Sequence, residues 1–290
     1  MALLRRTTQA GQPDEVVVEP LTPEAARRLR PTLFSRFTPG DLASHAEAEP
    51  GLSWVVRGQA QYALGGHWRH RSEVGEIVEI SRGPYRRRLL GRLLRAFAEA
   101  NTALVVLDFE ESASDGAFYA DEGFRTVERI VEYERRGCWL PNPPPPVPSR
   151  PAGPEDVGAI LSVERESFPW LWWNSEAELR HYQQLPGVEV YLSLEAGRPV
   201  GYAGITVRGS AGHLDRLAVR RAFQRRGHGA ALLALALERM GSLGVKRVTL
   251  STQEDNYKSQ ALYERYGFRQ GRWAYDIRGL WLREPEEAVS

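Results

Sequence analysis

Residues 217–233 read LAVRRAFQRRGHGAALL. An apolar triplet runs into a basic segment, then two glycines one residue apart, then a run of Ala and Leu. The triplet reads as the end of a strand. The run continues as AALLALALERMGSLG over 230–244, whose apolar spacing predicts a helix ended by Gly244. Gly227 and Gly229 lack Cβ atoms, so the backbone between strand and helix can come close to a ligand. The first N–H groups of a helix are unpaired and lie at the positive end of its dipole. A pyrophosphate suits that geometry. Neither a GxxxxGK[ST] nor a GxGxxG pattern is present, which disfavours nucleoside triphosphates and dinucleotides.

Working outward, VEVYLSLEAGRPVGYAGITV (188–207) alternates apolar and polar residues on both sides of AGRP, which predicts a hairpin. SAGHLDRLAV (210–219) and VKRVTLST (245–252) read as strands, KSQALYERYG (258–267) as a helix ended by Gly267, and RWAYDIRG (272–279) as a last strand. ALYERYGFR (261–269) has a partner upstream in AFYADEGFR (117–125), identical at five of nine positions. EPLTPEAA (19–26) pairs likewise with RPAGPEDV (150–157), and YERRGCWL (133–140) with YDIRGLWL (275–282). Three anchors in one order identify a tandem duplication. PNPPPPVPSRPAGP (141–154) holds eight prolines and predicts a stiff, extended connector rather than part of a sheet.

With 290 residues the chain has room for two domains. Its 38 basic and 37 acidic residues nearly cancel, which gives no reason to expect nucleic acid or a membrane surface as a partner. Cys138 is the sole cysteine, and the six histidines show no HExxH spacing, so no metal site is expected. The opening MALLRRTTQAG is too short an apolar run for a signal peptide, and a cytoplasmic protein is expected.

Gln224-Arg225-Arg226-Gly227-His228-Gly229 fits the Q/R-x-x-G-x-G/A signature of the GNAT superfamily of acetyl-CoA-dependent N-acetyltransferases. The LAV before it, VTLST, and DNYKSQALYERYGF (255–268) are similar to that superfamily in order and spacing. The resemblance covers 147–290. It implies an α/β fold with two tandem GNAT-like domains, each a central mixed, largely antiparallel sheet flanked by helices. The division expected is a degenerate, non-catalytic domain at 1–140, a Pro-rich linker at 141–146 and an acetyltransferase domain at 147–290. The tandem arrangement is similar to that of mycothiol synthases, which are active in the second domain. A monomer whose two domains form an intramolecular pseudo-dimer is one expectation from it.

The resemblance also implies roles. The backbone of Leu217, Ala218 and Val219 would pair with pantetheine, where two parallel strands splay. The backbone of Gln224, Arg225, Arg226, Gly227, His228, Gly229 and Ala230 would hold the pyrophosphate. Asn256, with Ser259 in the same motif, would bind the pantetheine arm, and Tyr263 would protonate the departing thiolate. HLDRLAV (213–219) resembles the HxHxLAV strand of arylalkylamine N-acetyltransferases, with Asp at the third position in place of His. His213, Asp215, Leu217 and Val219 are expected on one face, since side chains alternate along a strand. Histidine titrates near neutrality, so His213 suits a base. Asp215 either orients it or binds an acceptor cation, or both are solvated strand-end residues. Glu254 and Asp255 are further candidates. Trp170, Trp172 and Trp173 either wall the acceptor site or seal the interface between domains, the second being preferred.

The first copy keeps the late helix and the last strand but not the phosphate loop. Pro84 removes a donor there, and no residue in EESASDGAFY (110–119) obviously fills the place of Asn256. Tyr119, the match of Tyr263, is expected to be structural, and Arg86, Arg87, Arg88, Arg92 and Arg95 to form a solvated helix face. The resemblance implies an amine of a small molecule or peptide as the acceptor. Direct transfer is expected, since no Cys or activated Ser lies in the motif region. A protein N-terminus or lysine as acceptor, and a non-catalytic acyl-CoA-binding protein, are the alternatives.

Overall fold

The computed structural model of the chain describes residues 16–31, 35–108 and 113–283. MALLRRTTQAG and the first-copy counterpart of Asn256 lie outside the described residues.

The first half runs β1 (Val18–Pro20), α1 (Pro23–Arg28), α2 (Pro39–Ala48), β2 (Ser53–Val56), β3 (Tyr62–His67), β4 (Val74–Ile80), α3 (Arg86–Glu99), β5 (Leu104–Leu107), α4 (Ala113–Asp121) and β6 (Arg125–Arg136). The second repeats the scheme with β7 (Ser149–Pro151), α5 (Val157–Ser167), α6 (Glu176–Gln184), β8 (Val188–Glu195), β9 (Arg198–Arg208), β10 (Ala211–Val219), α7 (His228–Ser242), β11 (Arg247–Gln253), α8 (Tyr257–Arg265) and β12 (Arg269–Trp281). Local chemistry explains the ends. Thr38 and Asp41 form a reciprocal capping box on α2, and Ser175 accepts from the Glu178 N–H to start α6. Gly244 and Gly267, both at φ +82°, follow α7 and α8 as the sequence predicts.

Among the described residues the strands form one sheet in the order β1-β2-β3-β4-β5-β12-β6-β11-β10-β9-β8-β7. The halves therefore exchange their last strands. β6 pairs antiparallel with β11, from Arg136↔Arg247 to Ile130↔Gln253. β12 pairs antiparallel with β5, from Leu107↔Arg278 to Leu104↔Trp281. The two exchanged strands also pair with each other. The sheet of each repeat is thus completed by a strand from the other half of the sequence, which no local pattern announces.

Within each repeat one parallel pair is joined by a helix, β4 with β5 through α3 and β10 with β11 through α7. Leu232, Leu233, Leu237 and Met240 of α7 are fully buried against Ile205, Leu214, Val248 and Leu250. Each such side chain stabilises the fold by roughly 1.5–3 kcal/mol. On the opposite face of the sheet, α5 and α6 pack through Ile160, Val163 and Leu179 on Leu192, Tyr202 and Ala218. A mixed cluster joins the halves: Trp68, Val74, Leu104 and Ile130 with Trp170, Leu171 and Ile277. Trp170 stacks on Trp281 with ring centroids 5.8 Å apart, and the Trp68 indole N–H donates to the Leu171 carbonyl at 3.1 Å. The tryptophan segment seals the contact between halves, with Trp172 also reaching the cavity described below.

Candidate functional site

β10 and β11 pair from Ala211↔Arg247 to Leu214↔Leu250 and then part, although β10 continues to Val219 and β11 to Gln253. Beyond that point the β11-facing edge of Leu217, Ala218 and Val219 has no strand beside it, while their other edge pairs with β9. A cavity of about 350 Å³ opens in this fork. One side holds Asn256, Ser259 and Tyr263 of α8 and its cap; the other holds Phe168, Trp172, Asn174, Glu178 and Tyr182. His213 to Leu217 form the wall between, and Arg69, Ile130 and Tyr275 enter from the first half and the exchanged strands.

The expectation that His213, Asp215, Leu217 and Val219 share a face is corrected by a β-bulge. The β9 register steps from Leu214↔Ile205 to Arg216↔Gly204, leaving Asp215 as the extra residue. An inserted residue shifts the two-residue period by one. Leu217 and Val219 consequently pack with Leu214 in the α7 core. His213, Asp215, Arg216 and Ala218 turn to the α5–α6 side. His213 Nδ1 lies 2.8 Å from Thr249 Oγ1, and its Nε2 has no protein partner among the described residues. Asp215 Oδ2 accepts from the Tyr182 and Thr206 hydroxyls, both at 2.7 Å. Burial, and then the Asp215 charge, push the Tyr182 phenol far above its usual range.

Arg216 donates to the Trp172 carbonyl and to Asn174 Oδ1, each at 2.9 Å, and lies 3.8 Å from Glu164. Glu164, fully buried, accepts from the Asn174 backbone and side-chain amides at 2.9 Å and from the Tyr202 hydroxyl.

The loop after β10 has the geometry its glycines predict. Arg225 takes φ +63° and Gly227 φ +92°, both left-handed. The first helical bond of α7 runs from Ala231 N–H to the Gly227 carbonyl at 2.9 Å, and no side chain caps the helix. The N–H groups of His228, Gly229 and Ala230 therefore face the loop unshared. Gln224 turns inward and donates to the Val219 carbonyl at 3.0 Å. Arg226 covers the Phe223 ring at 5.1 Å. The His228 ring is buried and lies 3.3 Å from Glu195, so only its backbone is available to the loop.

Asn256 caps α8, accepting from the Ser259 N–H at 3.3 Å and reaching Thr252 Oγ1 at 3.2 Å. Tyr263, 6% exposed, has its hydroxyl beside Ser259, and burial pushes its phenol up to about 12. Glu254 ion-pairs with Arg129 at 3.2 Å, and Asp255 is exposed; neither lines the cavity. Arg69, Asn174, Tyr182, Thr206 and Thr249 escaped the sequence reading. Arg216 sat inside the quoted HLDRLAV strand, whereas Arg69 and Tyr182 reach the cavity only through tertiary packing.

The first repeat differs at the corresponding place. Asp115, 4% exposed on α4, pairs with Arg82 at 2.5 Å and Arg86 at 2.6 Å. Arg86 is thus turned inward and Arg92 lies over the Trp54 ring at 3.6 Å, while Arg87, Arg88 and Arg95 are exposed. The solvated helix face expected there is limited to those three, because α3 packs its first turn against α4.

The chain is similar to known acetyltransferases in sequence and in fold. The acetyltransferase (GNAT) family model matches residues 158–268. The chain is 27% identical over 280 residues to the mycothiol acetyltransferase of Segniliparus rotundus, covering 88% of this chain and 95% of that protein. In fold it is similar to a GCN5-related N-acetyltransferase from Sphaerobacter thermophilus, with TM-score 0.57, 19% identity, and 94% and 98% of the two chains covered. It is likewise similar to a tandem GNAT protein from the clavulanic acid biosynthesis pathway, with TM-score 0.55, 14% identity, and 94% and 100% covered.

Proposed function

We propose that the chain, whose residues 158–268 match the acetyltransferase (GNAT) family model, moves an acetyl group from acetyl-CoA directly to the amine of a small molecule, in the cavity of its C-terminal half. The observation that carries this reading is the fork. Two parallel strands part beside an uncapped helix start, over a cavity that holds both an imidazole and a buried phenol. The free edge of Leu217–Val219 suits a pantetheine amide, and the unshared N–H groups of His228, Gly229 and Ala230, with the left-handed Arg225 and Gly227, suit a pyrophosphate. Asn256 and Ser259 flank the path between them.

Acetyl-CoA supplies the acetyl thioester. His213, with Nδ1 engaged by Thr249, presents Nε2 as the acceptor of the amine proton. Asp215, held by two hydroxyls, is placed to face the incoming ammonium. Tyr263 stays protonated at neutral pH and donates a proton to the departing thiolate. In the first repeat the Asp115–Arg82–Arg86 cluster fills the corresponding region, which supports a scaffold role for that half. The similarity to mycothiol acetyltransferase supports a small-molecule acceptor.

Calorimetric titration of acetyl-CoA into the wild-type protein and a Gly227→Glu, Gly229→Glu variant tests the reading. One site, lost in the variant, is expected; two sites, or one indifferent to the substitutions, would place the cofactor elsewhere.

A further inference from the structure

The wall of the cavity contains a guanidinium, that of Arg69, on which Glu164, Glu178 and Glu76 act only from beyond ion-pair distance. Arg69 follows β3 in a short turn where it takes φ +54° and His70 takes φ +52°. Neither residue is glycine, and left-handed backbone at such residues is uncommon and strained. The strain aims the Arg69 side chain from the first half into the cavity of the second. Its guanidinium lies between Trp68 and Trp172, 5.4 and 5.2 Å from the ring centroids, and donates from Nη1 to Asn174 Oδ1 at 2.8 Å. Its Nε is buried with no hydrogen-bond partner. Among the described residues no carboxylate lies within ion-pair distance of it.

The neighbouring carboxylates are engaged elsewhere. Glu164 serves Asn174, Tyr202 and Arg216. Asp215 serves Tyr182 and Thr206, and Glu178 accepts from His70 Nδ1 at 2.6 Å. Asn174 Oδ1 takes a hydrogen bond from Arg69 and another from Arg216, so the two guanidinium groups converge on one neutral oxygen. A largely buried guanidinium with an unused N–H and a like-charged neighbour is costly unless an anion completes it. Arginine's planar fork matches a carboxylate best.

We infer that the acceptor carries a carboxylate as well as its amine, and that Arg69, contributed by the non-catalytic half, binds that carboxylate. Asp215, next to Arg216 in the chain, then faces the ammonium end, so the site reads both charges of a zwitterion. The inference rests on the proposed acetyltransferase reading and names the substrate class of that site.

The test uses full-length protein saturated with acetyl-CoA. A panel of free amino acids and dipeptides is titrated beside the matching C-terminal carboxamides, first by heat of binding and then by acetylation rate. Acids are expected to exceed their carboxamides in kcat/KM by about tenfold or more, the scale of one charge-assisted hydrogen-bonded contact. Arg69→Gln should raise KM for the acids about 10- to 100-fold with a much smaller change in kcat, and weaken the carboxamides far less than the acids. Arg69→Lys, which keeps the charge and loses the fork, should fall between. Acetyl-CoA affinity and the thermal midpoint of both variants report whether fold and cofactor site persist, and the acid–carboxamide comparison on wild-type protein stands without either variant. Equal use of acids and carboxamides, equal weakening of both by Arg69→Gln, or no acid binding to protein that binds acetyl-CoA would each overturn the inference. Failure of wild-type protein to bind acetyl-CoA would instead bring down the acetyltransferase reading, and the inference with it.

Discussion

Asp115 and Ser259 occupy matching positions in the two repeats, each one helical turn ahead of a buried tyrosine, Tyr119 and Tyr263. Ser259 lines the cavity, whereas Asp115 binds two arginines of its own repeat. Asp115→Ser should therefore destabilise the protein. It removes the Asp115 carboxylate from Arg82 and Arg86, and the loss expected in urea unfolding is about 2–4 kcal/mol, reduced from the fully buried case because Arg82 is partly exposed. Calorimetry should still find one acetyl-CoA site, since Pro84 leaves the first repeat short of donors.

Replacing the phenol tests the other member of the pair. Tyr263→Phe should lower kcat about 100-fold, within the usual range for a general acid. Acetyl-CoA affinity should not move. With the hydroxyl pushed up to about 12, wild-type kcat should show no alkaline fall from this group below about pH 11. An unchanged kcat in Tyr263→Phe would remove Tyr263 from the chemistry.

Stability should fall with rising pH through a window set by Glu76. Burial, reinforced by the Asp108 charge, pushes its carboxyl from 4.5 up to about 7. Between those values the folded state binds the proton and the unfolded state has lost it, so ∂ΔG/∂pH is negative there. The contribution is fully present below about pH 4.5 and lost by about pH 7, amounting to about 3 kcal/mol. Glu76→Gln should flatten that slope in urea titrations at pH 5, 6 and 7, and an unaltered slope would assign it to other groups.

The strand exchange makes the halves interdependent. Expressed separately, 1–140 and 147–290 each expose an unpaired β5 or β11 edge and a last strand without its partner. Each fragment alone should aggregate or self-associate, and the two produced together should elute as one heterodimer with restored acetyl-CoA binding. Monomeric, stably folded single halves would contradict the pairing of β6 with β11.

Much of this architecture was legible where the signal is local. The turn at Ala196-Gly197 between β8 and β9, the glycines after α7 and α8, and the strand–loop–helix of 217–233 all follow from neighbouring residues. The proline connector and the three repeated anchors disclosed the duplication, but Ser149–Pro151 of that connector pair with β8 as the edge strand, where proline is tolerated, contrary to the expectation that the segment stays out of the sheet. The partners of β6 and β12 were not legible, because two equivalent edges compete for each and inter-repeat packing decides between them. The bulge at Asp215 carries no glycine or proline to mark it, so a strict period of two placed Leu217 and Val219 on the wrong face. Arg69 was invisible for a third reason: its contacts with Trp172 and Asn174 span more than a hundred residues of sequence.

The reciprocal loan of β6 and β12 also bears on how the two copies could diverge. In a homodimer built from one gene, every substitution is inherited twice, and a residue like Asp115 could not plug one site without plugging its twin. Joined in a single chain, the copies mutate independently while each still supplies the strand the other requires. Neither half can be deleted, yet on the proposed reading one is free of chemistry, and an arginine in it is free to serve the other's specificity.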